Sequence, residues 1–258
     1  MRVKSEEQRS ALREGGRRLA RIVSTLAAMV APGVSTDALD VRARALAESG
    51  GDRAAFLGYT PHGAPRPYPA AICVSVNDEV VHGIPNESPR TLEEGDIVTI
   101  DMGLVHGGLV TDMAVTVPVG SIDERTQKLV ASAREALAAA LAAAREGSTT
   151  GDIGHAVQAV AGRYGFSVPL ELGGHGVGRR VHEAPFIPNT GAPGSGARLS
   201  SGMVLAIEPI IIEGEGAVTL DSDGYTYRTL DGSRAAQFEH TVLVGSGDPE
   251  VLTESSQV

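Results

Sequence analysis

The sequence predicts an α+β fold built from two diverged halves, and three observations carry that expectation. Two helix-patterned pairs recur along the 258 residues, β-patterned segments follow each pair, and polar and turn positions of the second half match the first in order. Gly33, Thr36 and Leu39 align with Gly147, Thr150 and Ile153, an offset of 114. His82-Gly-Ile-Pro85 then aligns with His182-Glu-Ala-Pro185, Leu92 through Asp101 with Leu199 through Glu208, and Asp112-Met-Ala-Val115 with Glu239-His-Thr-Val242. The changing offsets place insertions in loops and exclude a short-period solenoid. The matched polar residues are a histidine with a histidine and, twice, a carboxylate with a carboxylate. A purely architectural repeat keeps apolar positions and turns. Kept chemical groups point to one shared site in the crevice between the halves.

Leu12, Leu19, Ile22, Val23, Leu26 and Val30 recur at helical spacing, which predicts an amphipathic helix from about Glu6 to Met29, ended by Pro32-Gly33. A second helix follows from Thr36 to Glu48 and stops at Gly50-Gly51. Phe56 to Ala70, rich in Gly, Pro and Tyr, reads as an ordered loop. Ala71–Val81 and, more strongly, Asp96–Val119 are β-patterned. Ser121 and Glu124 have the spacing of a capping box, so a long Ala-rich helix should run from there to about Arg145. A fourth helix is expected over Thr150–Tyr164, then a Gly-rich loop and a last set of strands. Residues 1–258 read as a single catalytic domain with pseudo-equivalent halves of about 8–120 and 121–246 and a frayed polar C-terminal tail from about 247 to 258.

Hydrophobic residues at 42% and charged residues at 21% are ordinary globular values, which excludes a disordered or collagen-like chain. The net charge of −10 opposes polyanion binding by the protein as a whole, so no specific nucleic-acid recognition is expected. Seven Lys/Arg against three Glu in the first 21 residues read as the solvated face of a helix. Cys73 is the only cysteine, which excludes an intrachain disulfide and a Cys-built zinc site and fits a reducing compartment. The polar start lacks a signal peptide's apolar region and no apolar run reaches membrane-spanning length, so a cytoplasmic protein without membrane contact is expected.

The segment from Ile97 to Val117 reads as a hairpin. With His106-Gly107 as its two-residue turn, Asp101 stands directly opposite Asp112. Two opposed carboxylates cost stability unless they are solvated, protonated or neutralised, and no Lys or Arg occurs between Ile97 and Val119. Either the hairpin is a solvent-exposed edge or a cation fills the site. His175 sits in Gly173-Gly-His-Gly-Val-Gly178, where glycines let backbones approach closely. A phosphate loop is the lesser reading, because the Gly-Lys-Ser/Thr ending is missing. Glu208 ends an apolar run before Pro209, and Glu239 opens Glu-His-Thr-Val-Leu-Val. Asp101, Asp112, His175, Glu208 and Glu239 together suit Mn²⁺, Fe²⁺ or Co²⁺, with Zn²⁺ also tolerated. Five such residues exceed the needs of one ion, so a pair of divalent ions roughly 3.5 to 4 Å apart is expected.

These residues carry a resemblance that extends from about residue 8 to 246. Asn77-Asp-Glu-Val-Val-His82-Gly-Ile-Pro85, Gly95-Asp-Ile-Val-Thr-Ile-Asp101, Asp112, Gly174-His175-Gly-Val-Gly-Arg, His182-Glu-Ala-Pro185, Gly202 through Glu208-Pro209 and Phe238-Glu239-His240-Thr241 stand in the order found in the type I methionine aminopeptidases. The chain resembles that family, whose fold is the duplicated "pita bread", an antiparallel sheet flanked by helices. The resemblance implies that Asp101 binds one metal with both oxygens, that Asp112 and Glu239 bridge two metals, and that His175 and Glu208 bind the second. It also implies that His82 and His182 are noncoordinating active-site histidines. Tyr59, Cys73, Val181 and Tyr225 match positions of the family's methionine pocket. Val181 and Tyr225 replace an aromatic and a tryptophan common there, and the loop after Gly58-Tyr59 is longer than usual.

The implied activity is hydrolytic removal of N-terminal methionine from peptides and nascent proteins, favouring a small second residue. His82, His182 and Glu208 are the expected catalytic groups: His182 donates to the tetrahedral oxyanion, His82 positions the second residue's amide, and Glu208 relays a proton to the leaving amine. The expected partners are the peptide substrate and, transiently, the ribosome, with the enzyme a monomer. The alternatives are a metalloaminopeptidase with a different first-residue preference and a noncatalytic peptide-binding relative. No zinc-peptidase His-Glu-x-x-His helix or Gly-x-Ser-x-Gly nucleophile elbow competes with this assignment.

Overall fold

The computed structural model of the protein describes residues 1–254. The first half contains α1 (Glu6–Ala27), α2 (Thr36–Ser49), β1 (Arg53–Ala54), β2 (Cys73–Val76), β3 (Glu79–Val81), β4 (Ile97–His106) and β5 (Leu109–Pro118). The second contains α3 (Glu124–Ala143), α4 (Thr150–Tyr164), β6 (Gly173–Gly176), β7 (Glu183–Pro188), β8 (Val204–Ile207), β9 (Ile210–Ile212), β10 (Val218–Leu220), β11 (Tyr227–Thr229), β12 (Ala235–Gln237), β13 (Glu239–Leu243) and β14 (Glu250–Val251).

The four expected helices form, and the starts of α1, α3 and α4 follow from side-chain acceptors. Ser5 accepts from the Gln8 amide at 3.3 Å, and Thr149 and Asp152 form a reciprocal capping box on α4. The expected Ser121–Glu124 capping box does not form. Asp123 caps α3 instead, its Oδ1 accepting from the Thr126 amide at 2.8 Å, while the Ser121 amide donates to Glu94. A carboxylate at the N-cap also meets the positive end of the helix dipole.

The principal sheet runs β1-β4-β5-β13-β8-β6-β7, with β2 pairing β4 and β14 pairing β13. One face packs against the helices: Ile100, Met102, Leu104, Met113 and Val115 join Leu19, Leu26, Leu129 and Leu137 in a single apolar cluster. Alternation along the strands sends Asp101, Asp112 and Glu239 to the other face. Among the described residues, no helix is long and apolar enough to cross a membrane.

The hairpin register corrects the sequence expectation. Gly107 and Gly108 form the turn, with φ of 55° and 77°, so His106 pairs with Leu109. Asp101 is then opposite Ala114 and Asp112 opposite Gly103. Two consecutive positive-φ residues suit a type I′ turn, which Gly-Gly accommodates more readily than His-Gly. The slip moves each partner by two residues, so both carboxylates stay on one face as diagonal neighbours.

The halves repeat their backbone bonding. The Gly33 amide donates to Leu92 O at 2.8 Å and the Leu92 amide to Val34 O at 2.8 Å; the Gly147 amide donates to Leu199 O at 3.0 Å and the Leu199 amide to Ser148 O at 2.8 Å. Gly33 and Gly147 have φ of 89° and 90°. The halves meet where β5 pairs with β13, Glu239 facing Ala114. Threonine hydroxyls close this seam at both ends. Thr241 Oγ1 accepts from the Asp112 amide at 2.7 Å and donates to Asp112 O at 2.8 Å, and Thr116 Oγ1 does the same for Gln237 at 2.9 and 2.8 Å.

Residues 250–253, expected to fray, are built into the fold. β14 extends the sheet at β13, Thr253 is fully buried, and its Oγ1 lies 2.9 Å from His240 Nδ1. Gly16 of α1 allows this approach, since a Cβ there would lie 2.2 Å from Leu252 O. The rest of the expected tail, residues 255–258, lies outside the described residues.

Candidate metal centre

The seam strands and their neighbours carry acidic and imidazole groups in two adjacent rows. Cys73 pairs with Asp101, Asp101 with Ala114 and Ala114 with Glu239, while Glu208 directly follows Ile207, the partner of His240. In the next row Phe186 pairs with His175, His175 with Ala206 and Ala206 with Thr241, whose hydroxyl holds Asp112. β6 reaches its place because it is nearly all glycine. A Cβ on Gly174 would lie 2.3 Å from Ala206 O and one on Gly176 2.2 Å from Ala184 O.

One pocket receives all of the residues singled out from the sequence. Asp101, Asp112, His175, Glu208 and Glu239 line it together with His82 and His182, and Tyr59, Cys73, Val181 and Tyr225 line it too. Asp112, His175 and Glu239 each place one ligand atom within 4.8 Å of the others. His175 Nε2 lies 3.4 Å from Glu208 Oε1, and Glu208 Oε2 accepts from Gln237 Nε2 at 3.0 Å.

Sequence reasoning missed Phe56, Pro61 and Tyr68 as pocket walls, and Gln237 as the support of Glu208. Phe56 and Tyr68 were legible only as members of an aromatic loop. Gln237 stands two residues before Glu239, and that spacing was its one available signal.

The electrostatics leave the acids either protonated or paired with positive charge. Burial pushes the Asp101 carboxyl far above its usual range, and the charges of Asp112 and Glu208 push it further. Asp112 is raised to about 7 by burial, and Glu208 and Glu239 are raised by burial together with the Asp112 charge. The buried histidines move the other way, His175 to about 3 and His82 to about 4, with burial the main cause and His182 adding to both. The imidazoles are therefore neutral, and among the described residues no Lys or Arg side chain lines the pocket.

The donor set fits divalent metal. Asp101 Oδ1, Asp112 Oδ1 and Glu239 Oε1 are buried with no hydrogen-bond partner, a costly arrangement for carboxylate oxygens unless a cation takes the lone pairs. His175 Nδ1 lies 2.9 Å from Gly176 O. Donation there leaves the Nε2 lone pair free as a ligand, the usual support of a metal-binding imidazole.

Comparison with known proteins bears on the whole chain. Residues 10–246 match the model of metallopeptidase family M24. The methionine aminopeptidase of Aquifex aeolicus (strain VF5) is 43% identical over 252 residues, covering 97% of each chain. Methionine aminopeptidase 1 of Mycobacterium tuberculosis (strain CDC 1551 / Oshkosh) is 41% identical over 256 residues, 97% of this chain and 94% of its own length. Among solved structures, methionine aminopeptidase from Thermotoga maritima superposes with a TM-score of 0.93 at 39% identity, covering 99% of this chain and 100% of that one. Prolidase from Pyrococcus furiosus superposes at 0.75 with 22% identity, covering 98% of this chain and 66% of that one, which shows the shared pita-bread fold alone. With its duplicated sheet, its buried acid–imidazole pocket and these full-length matches, the chain belongs to metallopeptidase family M24.

Proposed function

We propose that the chain is a metal-dependent aminopeptidase that removes N-terminal methionine from peptides and nascent proteins whose second residue is small. The observation that carries this reading is one pocket lined both by acid and imidazole groups and by apolar and aromatic residues. The names of the full-length relatives support it.

Asp101, Asp112, His175, Glu208 and Glu239 would hold two divalent ions of the Mn²⁺, Fe²⁺ or Co²⁺ kind, in a single catalytic domain whose halves each contribute ligands. Bound metal supplies Lewis-acid polarisation of the scissile carbonyl and makes water acidic enough to attack it near neutral pH. The protein's own groups do the rest. Phe56, Tyr59, Tyr68, Cys73, Val181 and Tyr225 offer an unbranched thioether side chain an apolar wall. Glu208, held through Oε2 by Gln237, accepts a proton and returns it to the departing amine. His182 donates to the oxyanion, and neutral His82 holds the amide after the first residue. A small second residue would fit best beside His82, His182 and the acids. Beyond it, an open groove past Val81, Leu172 and Phe186 shares His82, His175, His182 and Glu208 with the pocket and gives the rest of the peptide a path out.

Cleavage of a Met-Ala peptide after exhaustive chelation, and after return of each divalent ion, tests the proposal. Turnover should vanish with the metal and return with it. Full activity in metal-free protein would overturn the mechanism, and faster release of Leu or Pro than of Met would overturn the substrate.

A further inference from the structure

His182 is the least enclosed of the three pocket imidazoles, and its ring is clasped between two others. On one side the His175 ring meets it edge-on, centroids 4.5 Å apart at 89°. On the other, the Tyr59 ring lies at 5.5 Å and 63°, with the phenol oxygen 3.2 Å from His182 Nδ1. The backbone beneath His182 is fixed independently. Glu183 Oε1 accepts from the amides of Arg179 and Arg180 at 2.7 and 2.9 Å, and Gly178 O accepts from the Val110 amide at 2.7 Å. What the loop leaves undetermined is the rotation of the ring and the nitrogen that carries its proton.

A neutral imidazole has one N–H, and a phenol near neutral pH keeps its proton. If Nδ1 donated to the phenol, the Nε2 lone pair would be the ring's remaining polar group in a pocket already lined by Asp101, Asp112, Glu208 and Glu239. If the phenol donates to Nδ1, Nε2–H is offered to negative charge instead. We infer that Tyr59 is a positioning residue that holds His182 as the Nε2–H tautomer, ring fixed, so that Nε2–H is ready to donate to the developing oxyanion. The inference rests on the role proposed above for His182 and adds what sets its protonation pattern. It also gives Tyr59 a second duty beside lining the pocket.

Tyr59→Phe removes one hydroxyl and leaves the ring. In zinc-loaded protein labelled with ¹⁵N-histidine, His182 of the wild type should show protonated Nε2 and bare Nδ1, and Tyr59→Phe should show a mixture of tautomers. Loss of one neutral hydrogen bond should lower kcat on a Met-Ala peptide about tenfold with KM within about twofold. Tyr59→Leu, which also removes the wall, should raise KM as well. An Nδ1–H tautomer in the wild type, or unchanged tautomer and kcat in Tyr59→Phe, would overturn the inference. A wild type that cleaves no Met-Ala peptide would overturn the reading of function instead, and the tautomer comparison would still decide this one.

Discussion

The two halves solve the same folding problem with nearly the same backbone and then differ at the site. Each turns from its first helix to its second through a glycine with φ near 90° whose amide donates to a leucine carbonyl, Gly33 to Leu92 and Gly147 to Leu199. Each contributes a carboxylate to the seam, Asp112 and Glu239, and a second carboxylate beside it, Asp101 and Glu208. Yet at the offset that matches His82 with His182, the ligand His175 falls on Ser75, whose Oγ accepts from the Gly83 amide at 3.1 Å and so serves the backbone. His82 is half-buried at φ 61°, whereas His182 is exposed and is held by Tyr59. Scaffold contacts are duplicated while chemistry is shared out unequally, as suits a single centre built by two unequal halves.

If the seam acids are equivalent, Asp112→Asn and Glu239→Gln should fail alike. Loss of a direct ligand should exceed the roughly 10- to 100-fold cost typical of a supporting residue, so both should lose more than about a hundredfold in metal affinity by titration calorimetry and fall to background cleavage. A variant that kept tight binding would show that the halves do not share the site. Gln237→Leu, which removes only the support of Glu208, should cost about tenfold in kcat and leave the protein folded and metal-loaded.

Stability against pH separates the acid cluster from the scaffold. Without metal, Asp112 has a native pKa of about 7, above its ordinary value of 3.8, so the folded state binds more protons than the unfolded state between those limits. That protonation stabilises the metal-free fold at low pH, and the benefit is lost as pH rises toward about 7. Metal keeps the carboxylates ionised and paired. The melting-temperature gap between loaded and stripped protein should therefore widen as pH rises from 4.5 to 7. A gap independent of pH would mean that these acids are not the ligands.

Much of this was legible in the sequence because it is carried by periodicity and by residue types that are costly to bury. The four helices, the paired halves and the acid and imidazole residues that line the pocket announce themselves through apolar spacing, glycine corners and unpaired carboxylates in apolar runs. What escaped depends on local competition. His106-Gly107 and Gly107-Gly108 both allow a two-residue turn, and only backbone strain chooses between them. Asp123 outcompetes Ser121 as a cap although Ser121 fits the better-known pattern. Residues 250–253 look polar and frayed because nothing local reveals that Gly16 leaves room for them against α1. Tyr59, Tyr68 and Phe56 converge through a loop whose path no period encodes.

The scaffold itself offers the finest test of equivalence. Gly33 and Gly147 share a backbone conformation, and a Cβ at either has no close neighbour, the nearest atom at Gly147 being Arg198 Nη2 at 3.6 Å and none lying within 4 Å at Gly33. Space therefore does not distinguish them, and the cost of alanine is backbone strain alone. Gly33→Ala and Gly147→Ala should each lose about 1–2 kcal/mol in denaturant unfolding, equal within error, with cleavage by the folded fraction unchanged. Since the corners bond to different leucines, the double variant should lose the sum. A clear inequality would mean that one half sets the stability of the other, and that the duplicated corners no longer do duplicated work.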